Sequence, residues 1–140
     1  VHQDLIDLRR VGLDDERLVR FVHPTAYVAP DVEIVPGVVI MPNVSISPAA
    51  TFEKGCLIMV AATIGHDTHF GRHCHVAAQA CVGAYLNIQD GVHIGLNSTI
   101  REELTIGRNA TIGMGSVLTK SVGEGEIWAG NPAKFLRRAQ

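Results

Sequence analysis

Residues 58–82 read IMVAATIGHDTHFGRHCHVAAQACV, and every sixth residue in that stretch is large and apolar: Ile58, Ile64, Phe70, Val76 and Val82. The same register extends in both directions without an insertion. Upstream it passes through Phe52, Ile46, Ile40, Ile34 and Val28 to Val22. Downstream it passes through Ile88, Ile94, Ile100, Ile106 and Ile112 to Leu118. All 17 positions are aliphatic or Phe in a chain that is 46% hydrophobic, which chance gives about once in 10⁶ for one register. A second column lies four residues later in each hexad and is small or uncharged aliphatic throughout. Ala26, Val32, Cys56, Ala62, Thr68, Cys74, Ala80 and Ser98 are among its members.

One large and one small inward position per six residues suit a narrow prism with three flat faces. Short strands make the faces, and Gly, Pro, Asn and Asp make the corners. Five successive hexads place proline in the third slot, Pro24, Pro30, Pro36, Pro42 and Pro48, where a fixed φ and a lost donor are tolerated. Gly65, Gly71, Gly83, Gly95, Gly107 and Gly113 fill the second slot, where a side chain would crowd the turn. Three hexads close a coil of 18 residues, so residues 22–123 form between five and six coils, each about 4.8 Å above the last. Stacked columns of Ile and Val fill such an interior, which explains how a chain with only 5% aromatic residues builds a core. A heptad coil conflicts with the period of six and with the prolines, and an antiparallel sandwich conflicts with the absence of hairpin spacing.

Outside the repeat, residues 1–21 carry Leu5, Leu8, Leu13, Leu18 and Val19 among charges and read as a short amphipathic helix, a linker from a preceding segment. Residues 124–140 read as a capping loop punctuated by Gly125, Gly130 and Pro132, followed by a basic tail. Twelve basic against fourteen acidic residues give no polyanion-binding surface, so a nucleic-acid partner is not expected. No apolar run reaches the length of a membrane span. An odd count of three cysteines without a CxxC pair fits a reducing cytoplasm better than a disulfide scaffold.

Chemistry concentrates in four histidines within ten residues, His66, His69, His73 and His75. The register separates them. His66 takes the third, outward slot at a corner, Asp67 follows it, and the small Ala84 lies one coil above. His75 and His93, 18 apart, stack on one face. Exposed turn histidines are one reading, the one favoured for His69 and His73. A metal site is another. A general base is a third, with His66 as the imidazole and Asp67 as the carboxylate that orients it. A zinc carbonic anhydrase on the same scaffold needs an H-x4-H pair. No two histidines here are five apart, so no metal is expected. A non-catalytic β-helix subunit is the remaining class.

The hexad columns, Ile64-Gly65-His66-Asp67, His75-Val76, the run from Ile112 to Val117 and the Gly130-Asn131-Pro132-Ala133-Lys134 tail together resemble the sugar O- and N-acetyltransferases of bacterial glycan pathways. These comprise the sialic acid O-acetyltransferases and the nucleotide-amino-sugar N-acetyltransferases, including the UDP-N-acetylbacillosamine type. The resemblance covers residues 21–138. It implies a left-handed parallel β-helix and a homotrimer with active sites between subunits. It also implies acetyl-CoA as co-substrate and a small sugar as acceptor, its amine or, in the alternative, its hydroxyl. By the same resemblance His66 is the base and Asp67 its supporting acid. His75 lies near the thioester, and Ala84, Leu96, Gly113 and Met114 contact acetyl-CoA. Met59 stands where a relative places an asparagine near the substrate. Members of the family carry an N-terminal nucleotide-sugar-binding domain, of which residues 1–21 are expected to be the linker or remnant. Lys120, Lys134, Arg137 and Arg138 are candidates for the phosphates of coenzyme A.

Overall fold

The computed structural model describes residues 18–139. The expected helix at the N-terminus falls almost wholly outside them, and the first described element is already a strand, Phe21–Val22. From there the chain winds as a parallel β-helix. Sixteen two-residue strands recur at the register of six, each using the last slot of one hexad and the first of the next, as in Thr63–Ile64, His69–Phe70 and His75–Val76. Successive strands enter three different sheets, and each as far as Thr99–Ile100 pairs in parallel with the strand 18 residues on. Thus Leu57–Ile58, His75–Val76, His93–Ile94 and Thr111–Ile112 stack in the first sheet. Ser45–Ile46, Thr63–Ile64, Cys81–Val82 and Thr99–Ile100 stack in the second. Thr51–Phe52, His69–Phe70, Asn87–Ile88 and Thr105–Ile106 form the third.

Both inward columns are observed. Ile40, Ile46, Ile58, Ile64, Phe70, Val76, Ile88, Ile106, Ile112 and Leu118 are sealed from solvent, and the second column beside them is equally dry at Cys56, Ala62, Ala110 and Val38. Phe52 and Phe70 stack with centroids 5.1 Å apart. Buried hydroxyls in the small column need partners, because an unmatched polar group in this interior is costly. Thr68 Oγ1 donates to Gly83 O at 2.8 Å and accepts from Leu86 N at 3.2 Å, and Ser98 Oγ donates to Gly95 O at 2.7 Å. Cys56 and Cys74 are stacked core thiols. Cys56 Sγ donates to Gly71 O at 3.0 Å, and its contact with Cys74, then burial, pushes its ionisation well above the ordinary range.

The corners divide two tasks between two slots. Second-slot glycines serve close approach: a Cβ on Gly65 would lie 2.5 Å from Gly83 C and 2.6 Å from Ala84 N. The left-handed turn residue is the fourth slot, a role the sequence reading did not separate from the glycine column. Every fourth slot from Gly37 to Gly115 has positive φ, including Asn43, Asp67, His73, Tyr85, Asn97 and Asn109. His73 also corrects an expectation. Its ring lies over Gly55, one coil below, with Nδ1 shielded from solvent, and is not an exposed turn histidine.

Residues 126–138 are strands, where a loop and tail were expected. Glu126–Gly130 pairs in parallel with Thr111–Ile112 in the first sheet and turns back through a cis Asn131–Pro132 bond into the antiparallel strand Ala133–Arg138. Ala133 and Trp128 pack on the core at this end of the prism. Glu126 is the latch. Its carboxylate accepts from Gly123 N at 2.8 Å and from Trp128 Nε1 at 2.9 Å, and meets Arg138 at 3.4 Å. The Trp128 bond first, then Gly123 N–H and Arg138, hold its carboxyl below the usual range. At the opposite end Gly37 N–H donates to Val19 O at 3.2 Å, and the Leu18 side chain lies where a Cβ on Gly37 would meet it at 3.2 Å.

Candidate active site

Two corners of the prism carry the residues singled out by sequence. The corner that joins the second sheet to the third holds His66 and Asp67 and, one coil on, Ala84 and Tyr85. Asp67 is a left-handed residue (φ 56°), a conformation Asp tolerates, and this turn brings its carboxylate back beside its neighbour. Asp67 Oδ2 lies 2.8 Å from His66 Nδ1, with both side chains about half exposed (50% and 45%). An ionised carboxylate only accepts, so Nδ1 carries the proton and Nε2 is left as a basic lone pair. Tyr85 stands perpendicular to the imidazole, 5.0 Å between centroids, and its backbone N–H donates to His66 O at 3.0 Å.

The corner that joins the first sheet to the second carries an apolar groove of about 340 Å³. Three stacked columns build it. The second-slot column contributes Met59, Ala77, Gly95 and Gly113. The third-slot column contributes Ala78, Leu96 and Met114. The outward residues His75, His93 and Thr111 of the first sheet form the third wall. Gly95 and Gly113 have no room for a side chain, because a Cβ on Gly95 would meet Met114 N at 2.5 Å and one on Gly113 would meet Ala129 Cβ at 2.8 Å. Leu96 and Met114 leave 50% and 75% of their surface exposed, so the groove presents an open apolar strip. His75 and His93 stack as the register required, 4.8 Å between centroids, and His75 Nε2 and His93 Nδ1 are shielded from water.

Of the expected cofactor contacts, the groove therefore gathers His75, Leu96, Gly113 and Met114. Ala84 is elsewhere, on the His66 corner, and neither His66 nor Asp67 lines the groove. One hexad, with the strand Cys81–Val82 in its middle, separates the two corners within a chain, a span of up to about 20 Å. Gly83 N–H, a candidate donor beside Ala84, is already committed to Ile100 O at 3.0 Å. Arg138, a candidate for coenzyme phosphates, is held by Glu126 and by Glu124 O. His69 is tied to Thr51 Oγ1 at 2.8 Å and approaches Glu53 at 3.5 Å, and Glu53 also pairs with Arg72 at 3.2 Å. Among the described residues no group of three or more His, Cys, Asp or Glu is arranged to hold a metal ion, and no helix is long and apolar enough to cross a membrane.

Sequence reasoning missed Tyr85, Ala77, Ala78 and Thr111. Adding 18 to Asp67 gives Tyr85, and adding 18 to Met59 and Val60 gives Ala77 and Ala78, so the coil period held that signal.

The chain is thus a left-handed parallel β-helix of hexapeptide repeats, with an apolar groove on one corner and His66 on another. No protein-family model and no curated protein sequence matches the chain. Solved structures do. Perosamine N-acetyltransferase from Caulobacter crescentus, a variant in complex with CoA and GDP-perosamine, superposes with a TM-score of 0.84 at 24% identity, over 96% of this chain and 75% of that one. WeeI from Acinetobacter baumannii AYE gives 0.82 at 26% identity, over 96% and 65%. The acetyltransferase domain of PglB from Neisseria gonorrhoeae FA1090 gives 0.81 at 29% identity, over 96% and 64%. The chain thus spans a little under two thirds of the length of the latter two.

Proposed function

We propose that this chain is an acetyl-CoA-dependent acetyltransferase that acylates the amine of a nucleotide-linked amino-sugar. It works as a homotrimer in the cytoplasm, and each active site combines the His66 corner of one subunit with the groove of the next. The observation that carries this reading is the separation of the two half-sites. A base corner and an apolar groove lie on different edges of one prism, each open to solvent, and a threefold arrangement of prisms brings unlike edges together. Likeness to a PglB acetyltransferase domain solved with acetyl coenzyme A, at 29% identity, and to a Caulobacter crescentus enzyme solved with CoA and GDP-perosamine, at 26%, supports the choice of co-substrate and acceptor. The buried Cys56 and Cys74, both free thiols, are compatible with a reducing compartment.

The groove fits the co-substrate. Its length runs along the stacked columns, two of its walls are apolar, and its glycines bring backbone close to whatever lies there. Bound acetyl-CoA supplies an activated acyl carbonyl. Leu96 and Met114 cover the apolar arm, Gly113 admits it to the backbone, and His75 stands on the wall nearest the reacting end. Ala84 reaches the same region from the neighbouring subunit, because it sits directly above His66. Nε2 of His66 takes the proton from the acceptor amine as the C–N bond forms and returns it to the sulfur as the C–S bond breaks. Asp67 keeps Nδ1 protonated and stabilises the imidazolium between those two transfers.

His66→Ala is expected to lower kcat/KM for acetyl transfer to a nucleotide-4-amino-sugar by about 10²- to 10⁴-fold. Calorimetric affinity for acetyl-CoA should stay close to that of the unaltered protein. Transfer at the unaltered rate would refute the assignment.

A further inference from the structure

The fold imposes positive φ on the fourth slot of every hexad from Gly37 to Gly115, and the residues that accept it at little cost are Gly and Asn, as at Asn43, Gly91, Asn97 and Asn109. Tyr85 occupies that slot at φ 56°, where a bulky aromatic residue is an outlier. Packing within its own chain does not compensate it, since 57% of the residue is exposed there. What the ring does contact is the imidazole of His66, edge to face at 5.0 Å and 85°. Strain of this kind at a solvent-facing corner points to a use other than stability.

We infer that Tyr85 is a positioning residue for the base: its ring packs against His66 and keeps Nδ1 on Asp67 with Nε2 turned outward. A perpendicular ring contact restricts rotation of the imidazole. The groups around His66 are few. Asp67 lies on the same turn. Pro48 and Ala84 occupy the stacked positions below and above and carry no charge. Glu102 and Glu103 follow one coil further, with Glu103 N bonded to Ala84 O at 3.0 Å. Tyr85, one coil above Asp67, is therefore the aromatic residue that sets the environment of the ring. The inference rests on His66 being the base.

The test uses Tyr85→Phe, Tyr85→Leu and Tyr85→Asn in the full chain with three readouts. They are the tautomer of His66 by nitrogen-15 NMR, kcat and KM for acetyl transfer, and the melting temperature. Tyr85→Asn should melt at or above the unaltered protein, because Asn suits the backbone. In Tyr85→Asn and Tyr85→Leu, kcat should fall about 2- to 12-fold with KM for acetyl-CoA unchanged, the range of one aromatic contact. In both, the Nδ1–H tautomer fraction of His66 should fall. Tyr85→Phe, which keeps the ring, should rescue all of these. Unchanged His66 signals in Tyr85→Leu, losses in Tyr85→Phe equal to those in Tyr85→Leu, or a markedly lower melting temperature in Tyr85→Asn would each overturn the inference. If the unaltered protein transfers no acetyl group, the functional reading fails by itself, and the NMR arm still decides the role of Tyr85.

Discussion

Gly65→Ala perturbs the coil at the residue before His66. The backbone of Gly65 is not left-handed, so alanine meets no conformational penalty there and the effect is one of space. The added Cβ would sit 2.5 Å from Gly83 C, 2.6 Å from Ala84 N and 2.6 Å from Gly83 O. All three atoms are backbone and cannot swing away. Ordinary contact begins near 3.4 Å, so the two coils must part by about 0.8–0.9 Å at this corner. Two hydrogen bonds cross that gap, Gly65 N to Val82 O at 2.8 Å and Tyr85 N to His66 O at 3.0 Å. Stretching both past useful length costs about 1 kcal/mol each, and overpacking adds about 1–3 kcal/mol. A destabilisation of about 3–5 kcal/mol lowers the melting temperature of a domain this size by roughly 10 °C or more. Where the protein remains folded, displacement of His66 and Ala84 by nearly 1 Å should cost about 10²-fold in kcat. Thermal denaturation followed by circular dichroism, with turnover measured well below the midpoint, checks both numbers. Gly115→Asn is the control, because that glycine is left-handed with open space around it. A Gly65→Ala protein that melts within about 2 °C of the unaltered one would refute the claim that the second-slot glycines exist for coil approach.

Glu126 makes the C-terminal hairpin sensitive to acid. Its folded ionisation lies below the ordinary value of 4.5, so its contribution is complete above pH 4.5 and disappears as the pH falls through the lowered folded value. Glu126→Gln should remove this share of the pH dependence in a stability titration between pH 6 and 3. Thiol labelling of the native protein should modify Cys81, which is exposed, and spare Cys56 and Cys74 until the chain unfolds. Modification of all three at equal rates would contradict the inward column. Asp67→Asn keeps an acceptor for His66 Nδ1–H but loses the charge that supports the imidazolium. Its kcat should fall about 10- to 100-fold; an unchanged kcat would remove Asp67 from the site.

The sequence made the solenoid legible because a β-helix writes its core in one dimension. Each inward residue recurs at a fixed interval, so Ile64 and Ile112 could be assigned to the interior without knowing what lies between them. The same arithmetic put His93 beside His75 and Ala84 above His66. It said nothing of the hairpin at 126–138. Trp128 and Ala133 leave the period of six, and Glu126 acts through contacts with Gly123 and Arg138 that no spacing announces. The glycine column was read as a response to crowding, which holds, but the left-handed turn falls in the fourth slot. Ala, Gln, Glu and Tyr there conceal it from any propensity argument. His73 was expected in solvent because its outward slot was visible and the vacancy over Gly55 was not. Half of the site was named by resemblance alone. Leu96 and Met114 have no signature of their own beyond being apolar at an outward position. Tyr85, with no resemblance to point to it, was found by its contact.

Complementation between two defective chains tests the composite site most directly. His66→Ala removes the base and leaves the groove intact. Ala78→Trp fills the groove and leaves the base intact, on the opposite edge of the prism. Each homotrimer should be inactive. Co-assembled from equal amounts, three quarters of the trimers contain both chains, and each of these has one site in three with an intact base facing an intact groove. The mixture should therefore recover about a quarter of the activity of the unaltered protein. No recovery in mixed trimers isolated by two affinity tags would mean that base and groove act within one chain, and would contradict the account.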